Sequence, residues 1–246
     1  MKTFPHLMIV VLAATLVLFV FGTKEVSSQN LVVNGDFELG NTGFSTDYIY
    51  MPDAIEIPAG AYFIGTNPQD HHPLFSPCGD HTTGTGNMMI LNGAVQPNVL
   101  VWSQSVAVSP NQTFELTAWA TSVFPASPAH LQFLINNSPV GELQLSSTTC
   151  QWQLFTANWP SGASTTAVLS IVDLNTDAFG NDFALDDLAF ERTGPAFAGT
   201  PGTANCEGKS VSALARQFGG LDAAASALGF PSVQALQEAI RAFCEG

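Results

Sequence analysis

Between Gln29 and Glu191 the apolar residues come in short segments broken by turn residues, and none keeps a long helical period. Such a stretch can build strands but has no helix long enough to bury a core. The segments are 31–34, 54–57, 61–64, 88–91, 99–108, 113–121, 130–136, 141–145, 151–159, 166–173 and 182–191. Their regular spacing predicts an all-β sandwich. Alternation is clearest in 113–121, where Phe114, Leu116, Ala118 and Ala120 share one face and Thr113, Glu115, Thr117 and Trp119 the other. In 130–136, Leu131, Phe133 and Ile135 point one way, and His130, Gln132 and Leu134 the other. Each such strand has a core face and a face free for solvent or ligand.

The same stretch holds fifteen Asp and Glu and not one Lys or Arg, in a chain whose formal net charge is −14. A wholly acidic surface repels phosphate backbones and anionic headgroups, so nucleic-acid and membrane-surface binding are disfavoured. Carboxylates that cluster in such a domain need metal, protons or solvent to neutralise them.

Composition changes at both ends. The uncharged apolar run 7–21, after Lys2, is fifteen residues long. That suits a signal peptide over residues 1–28, cleaved near Val26-Ser27-Ser28, rather than a membrane span. An uncleaved anchor is the alternative. Export makes the protein secreted or cell-surface, with no membrane insertion after cleavage. The β region is then 29–191, a Gly/Pro-rich linker covers 192–205, and a helical unit covers 206–246. In that unit Val211, Leu214, Ala215 and Phe218 follow a helical period, and Gly219-Gly220 stops it. Asp222 caps a short second helix ending at Gly229, and Pro231-Ser232 opens a third. Four cysteines in an exported chain read as disulfides, with three possible connectivities. The pairing Cys78–Cys150 and Cys206–Cys244 keeps each pair inside one composition block.

Asp80–Gly93, D-H-T-T-G-T-G-N-M-M-I-L-N-G, joins a polar loop rich in oxygen donors to a short apolar strand. Gly84 and Gly86 let the backbone fold back so that oxygens converge, which suits a hard cation; a solvated turn is the simpler reading. Two other motifs accompany it: Asn34-Gly35-Asp36-Phe37-Glu38 and Asn181-Asp182-Phe183-Ala184-Leu185-Asp186-Asp187-Leu188. Together the three resemble the signature of secreted, galactose-binding-like jelly-roll domains, over roughly 30–191. These include the carbohydrate-binding modules found beside xylanases and cellulases, and the MAM domains of cell-surface proteins. The resemblance implies a two-sheet jelly-roll β-sandwich, followed here by a small helical C-terminal unit that matches no known pattern. It also implies one structural calcium ion held by Glu38, Asp80, Thr82 and Asp186, with Asp36 as a further candidate. Asp186 is preferred to Asp187 because the resembling domains use the first Asp of the pair. Several carboxylate, hydroxyl and carbonyl donors on loops suit calcium better than magnesium.

No catalytic constellation stands out. Asp186 and Asp187, as strand neighbours, should leave by opposite faces and so cannot flank one glycosidic bond. Asp70, His71, His72, Cys78, Asp80 and His81 crowd one long loop, which reads as a transition-metal site or as a surface loop pinned by a disulfide. A sugar ring stacks its C–H face on Trp or Tyr while its hydroxyls need polar partners. Trp119, with His130 and Gln132 on an expected neighbouring strand, is the candidate site. Tyr62, with Tyr48 and Tyr50, lies in segments that the resembling modules use around the sugar cleft. Trp152 and Trp159 are assigned to the core or its edge. The expected function is non-catalytic binding of a polysaccharide or glycoconjugate. The alternatives are adhesion to a cell-surface protein and a place in a polysaccharide-degrading system. The sequons at Asn111 and Asn136 matter only where the source glycosylates.

Overall fold

The computed structural model describes residues 29–110, 112–193 and 197–245. The expected signal segment, Asn111 of the first sequon and residues 194–196 of the linker lie outside them. Among the described residues no helix is long and apolar enough to cross a membrane.

Ten strands form two sheets: β1 Ile49–Tyr50, β2 Ala61–Gly65, β3 Met88–Asn92, β4 Leu100–Ala107, β5 Thr113–Ser122, β6 His130–Ile135, β7 Ser138–Gln144, β8 Gln153–Pro160, β9 Thr166–Asp173 and β10 Asp182–Thr193. The larger sheet runs β1-β2-β3-β10-β5-β8 and the smaller β4-β9-β6-β7. All neighbours are antiparallel except the two-residue β1, which pairs parallel with β2. The alternating residues meet between the sheets: Phe133 of β6 stacks on Phe155 of β8, with ring centroids 3.6 Å apart. The β6–β7 hairpin turns on Asn136 and Asn137, both at positive φ (52° and 62°), the pair of left-handed residues that a two-residue type I′ turn requires.

The larger sheet has a second, smaller core on its outer face. There Ile57, Phe63, Phe75, Cys78, Met88, Ile90, Val123 and Ala184 pack together under the long loop between β2 and β3. That is why Met88, Met89, Ile90 and Leu91 are apolar without alternation: both faces of β3 are covered. The Cys78–Cys150 disulfide ties this loop to the segment before β8. The β5–β8 half of the outer face stays open, and β8 is a sheet edge.

Two expected strands are not strands. In 31–34 the backbone donors are taken partly by side chains: Val32 N–H by Asn30 Oδ1 and Val33 N–H by Gln104 Oε1. Asn34 then turns at φ 57°. Segment 54–57 instead lies against the long loop, with Ile57 N–H bonded to His71 O. The short β1, which carries no period in the sequence, takes the outer place beside β2.

The tail forms α1 Cys206–Phe218, α2 Leu221–Ala227 and α3 Val233–Glu245. Gly219 closes α1 in the left-handed conformation, and Ser232 Oγ accepts the Ala235 N–H to open α3. Asp222 is not a cap: it sits in the first turn of α2, and Gly220 holds the cap position. The helices bury Leu214, Ala224, Ala225, Leu236 and Ile240 in a core of their own. That core is small, and the Cys206–Cys244 bridge closes it over a separation of 38 residues, worth about 4 kcal/mol on a loop-entropy basis. Replacing both cysteines by alanine should therefore abolish the cooperative helical transition in circular dichroism and leave the β transition in place.

The sandwich also encloses carboxyl groups. Burial pushes Asp173 up to about 6 and Asp182 up to about 7, against the pull of backbone N–H groups. In the unfolded chain both ionise near 4. The folded state thus binds more protons between about pH 4 and 7, so its stability is greatest at the acid end and falls as the pH rises. Melting the chelator-treated protein from pH 4.5 to 7.5 should show that fall, and Asp182→Asn should flatten it.

Candidate functional site

β10 carries a bulge. Its register with β5 shifts between Asp186 and Ala189, and Asp187 takes φ 47°. The N-terminal segment docks there: Leu188 N–H bonds Gly35 O, and Asn30 bridges Leu188 O and Phe190 N–H. Gly35 permits the approach, since a Cβ would lie 2.1 Å from Leu188 O. The bulge breaks the alternation expected of neighbouring strand residues. Asp186 and Asp187 both turn to the 80–82 loop: Asp186 Oδ2 accepts the His81 N–H (2.9 Å), and Asp187 Oδ2 meets His81 Nδ1 (2.6 Å) and the Thr82 hydroxyl. Asp186 is only 1% exposed, so it is closed to any substrate.

Asp80 organises the loop itself. Its oxygens accept N–H groups from Thr83 (2.8 Å) and Gly86 (2.7 Å) and the Thr83 hydroxyl. Burial raises its carboxyl, but these donors outweigh it and hold the group below the usual carboxylate range. Glu38 reaches in from the N-terminal segment, its Oε1 accepting the Asn87 N–H at 2.8 Å. A Cβ on Gly86 would lie 2.2 Å from Glu38 Oε1 and 3.1 Å from Asp80 Oδ2, so both carboxylates line the space that this glycine leaves. Asp186 is pushed up to about 7, chiefly by burial, with the Asp187 and Asp80 carboxylates adding to it. Glu38, Asp80 and Asp186 are therefore brought to one rim. Thr82 spends its hydroxyl on Asp187, and Asp36 lines a shallow depression with Asn30, Asn34 and Asp187. Among the described residues, no three His, Cys, Asp or Glu side chains are gathered closely enough to form a ready metal cage.

Beside this rim is an aromatic corner. The His81 ring stacks on Trp119 (3.8 Å between centroids, 17° between planes) and meets Trp152 edge-on at 5.8 Å. Its side chain is 27% exposed. Trp152 is fixed by its N–H to Gly79 O, close to the disulfide at Cys78. Trp119 stands opposite Asp186 and Leu154, and the next rows of the open face are Ala189, Thr117, Thr156 and then Glu191, Glu115, Asn158.

The other expected sugar contacts do not join Trp119. His130 and Gln132 are on β6, in the opposite sheet, where Glu142 holds both at 2.9 Å. Outward faces of two different sheets look away from each other, which alternation within single strands does not reveal. Tyr62 is 4% exposed and bonds Asn41, so it belongs to the core. The crowded loop also disperses: His71 bonds Ala54 O, His72 stacks on Phe75, and Cys78 is in a disulfide. His81, Asp187 and Trp152 are not among the expected sugar contacts, although His81 is in the loop read as a transition-metal site. The D-H-T tripeptide carried His81, but nothing in the sequence announced the bulge that turns Asp187 toward it.

No protein-family model matches the sequence, and no curated protein does either. Solved structures do resemble the fold, among them carbohydrate-binding modules of jelly-roll type at low identity. One is the CBM22-1 xylan-binding domain of Paenibacillus barcinonensis Xyn10C (15% identity, TM-score 0.44, 66% of this chain and 94% of that one). Another is TmCBM61 in complex with β-1,4-galactotriose (13%, 0.44, 67% and 99%), and a third is a family 16 carbohydrate-binding module (20%, 0.41, 65% and 99%).

With His81 lying flat on Trp119, His81→Ala should raise the acrylamide quenching of tryptophan fluorescence without changing the β-type circular dichroism.

Proposed function

We propose that the chain is an exported, non-catalytic carbohydrate-binding protein whose sugar site is the His81–Trp119–Trp152 corner and the open sheet face beside it. The observation that carries this reading is a partly exposed aromatic group bordering an uncovered face rich in hydroxyl and amide side chains. Aromatic rings offer the C–H face of a sugar a stacking partner. Asp187, Thr117, Thr156, Glu115 and Asn158 offer its hydroxyls acceptors and donors. The face is an open sheet surface rather than a closed pocket, which suits a polysaccharide chain lying across the strands. At the corner the His81 ring and the Thr82 hydroxyl are both bonded to Asp187 rather than to each other, so no base is set to activate the hydroxyl, and binding without chemistry is the economical reading. Export is supported by two disulfides and by the apolar segment 7–21.

The proposal includes a structural calcium ion at the rim. Glu38, Asp80 and Asp186 would hold it, and it would supply the positive charge that no Lys or Arg between 29 and 191 provides. The fit rests on hard oxygen donors from three distant segments and on Gly86, whose missing Cβ lets Glu38 Oε1 and Asp80 Oδ2 draw in together. Thr82 and Asp36 are set aside, because their side chains stand by Asp187 instead.

Affinity electrophoresis through gels containing soluble polysaccharides, with pull-down on insoluble ones, tests the sugar site. Trp119→Ala and Trp152→Ala should lose retention, while His130→Ala with Gln132→Ala should keep it. Retention on no glycan, or release of sugar products, would overturn the reading. For the ion, calcium at about 100 times its dissociation constant should add roughly 2.7 kcal/mol of stability over chelator. Gly86→Ala should fold, because Glu38 is flexible enough to swing aside, yet lose most of that calcium response.

A further inference from the structure

Where β9 ends and β10 begins, four segments bring polar side chains together inside the sandwich. Asp173 closes β9 and Asp182 opens β10, and Asn181 precedes it. Tyr48 comes from the approach to β1, and its hydroxyl accepts the Ala94 N–H at 3.0 Å. The exposures of Asp173, Asn181, Asp182 and Tyr48 are 3%, 0%, 6% and 5%. The groups are linked through Asn181 and Tyr48. The Asn181 side chain lies against the Asp173 carboxyl, the Tyr48 phenol feels both carboxylates, and the neighbours Gly93 and Ala94 bond Asp182 and Tyr48. Gly93 also touches Asn181, whose Nδ2 would lie 2.4 Å from a Cβ there.

Half of each group is accounted for. Asp173 Oδ1 accepts the N–H groups of His130 (3.1 Å) and Asn175 (3.0 Å), and Asn181 Nδ2 donates to Asn175 O (2.9 Å). The other half is not: Asp173 Oδ2, Asn181 Oδ1 and Asp182 Oδ1 are buried and have no hydrogen-bond partner. With both carboxyls ionised all three are acceptors, so they cannot answer one another. Buried acceptors left unpaired are costly, and a buried carboxylate more so. No Lys or Arg lies anywhere in 29–191 to neutralise the pair.

We propose that Asp173, Asn181 and Asp182, with Tyr48 beside them, hold a calcium ion inside the sandwich, separate from the rim of Glu38, Asp80 and Asp186. One divalent cation balances both carboxylates and supplies the missing partner of the amide oxygen. The donors are all hard oxygens, which select against softer transition metals. Two carboxylates, an amide and a phenol drawn from different segments suit the irregular shell of calcium better than the strict octahedron of magnesium. The ion would pin the 174–181 crossover, which carries the chain from the end of the smaller sheet's β9 to the larger sheet's β10. With its ligands this deeply buried, the ion should exchange slowly compared with the rim.

Equilibrium dialysis against radioactive calcium at pH 7.5 counts the ions in the full chain and in Asp182→Asn, Asp173→Asn and Glu38→Gln. The expected result is two per chain in the wild type, one in each variant, and none when Asp182→Asn and Glu38→Gln are combined. Melting supplies a second readout that also reports folding. In chelator, Asp182→Asn should melt at or above the wild type, because a buried charge is gone. In excess calcium the order should reverse, with the variant lower by about 3 °C or more. Asp173→Asn should repeat the crossing, so the proposal stands or falls even when one variant folds poorly. An unchanged ion count in both aspartate variants overturns it. So does a variant that melts above the wild type with and without calcium, which would mean a protonated or hydrated interior. A wild-type count of one that Glu38→Gln abolishes leaves the rim and overturns the interior site; a count of one abolished by Asp182→Asn does the opposite.

Discussion

A buried carboxylate must be given hydrogen-bond donors or an opposite charge, and the β region has no lysine or arginine to give. Backbone N–H groups do that work throughout. Asp80 is held by Thr83 and Gly86, Asp173 by His130 and Asn175, Asp182 by Gly93, and Asp186 by His81 and Asp187. Most of these donors belong to loops, so Asp173, Asp182 and Asp186 each fasten an irregular segment to a strand, while Asp80 closes its own loop. The acids that make the chain so negative are also the fasteners of its loops. Because an N–H dipole only partly offsets a full charge, Asp173, Asp182 and Asp186 are left with raised pKa values.

The strands were legible where a single rule governed them. Alternation in 113–121 and 130–136 reappears as β5 and β6, with Phe114, Leu116, Leu131 and Phe133 in the core and Trp119 and His130 outside. The apolar run 88–91 became β3, although its lack of alternation reflects a second core that the pattern does not name. Sequence reading failed where side chains compete with the ladder or the backbone breaks period. At 31–34 Asn30 and Gln104 take the donors that a strand partner would use. At 186–188 one left-handed residue turned two opposed aspartates toward the same loop.

The candidate site was legible as a set of segments and not as a set of contacts. The three acidic motifs do converge, because β3 and β5 flank β10 and the N-terminal segment docks on its bulge. The aromatic partners were misjudged. Trp119 and His130 follow one another along the chain, but their strands belong to different sheets, and a crossing of the sandwich separates them. Chain order says nothing about which sheet a strand enters. The ring that does cover Trp119, that of His81, arrives from 38 residues earlier in the chain, on a loop held by Cys78–Cys150, by Asp186 and by Asp187.

The free edge at β8 has a colloidal consequence. Its eight residues, 153–160, expose a row of backbone donors and acceptors that could template a strand from another copy. Pro160 blunts one end, but the middle carries Thr156 and Ala157 with no charged side chain of its own. What keeps two such edges apart at neutral pH is the long-range repulsion between chains of net charge −14. That repulsion fades as the pH approaches the isoelectric point near 4.3, so the acid conditions that favour the fold of one molecule also let the molecules approach each other.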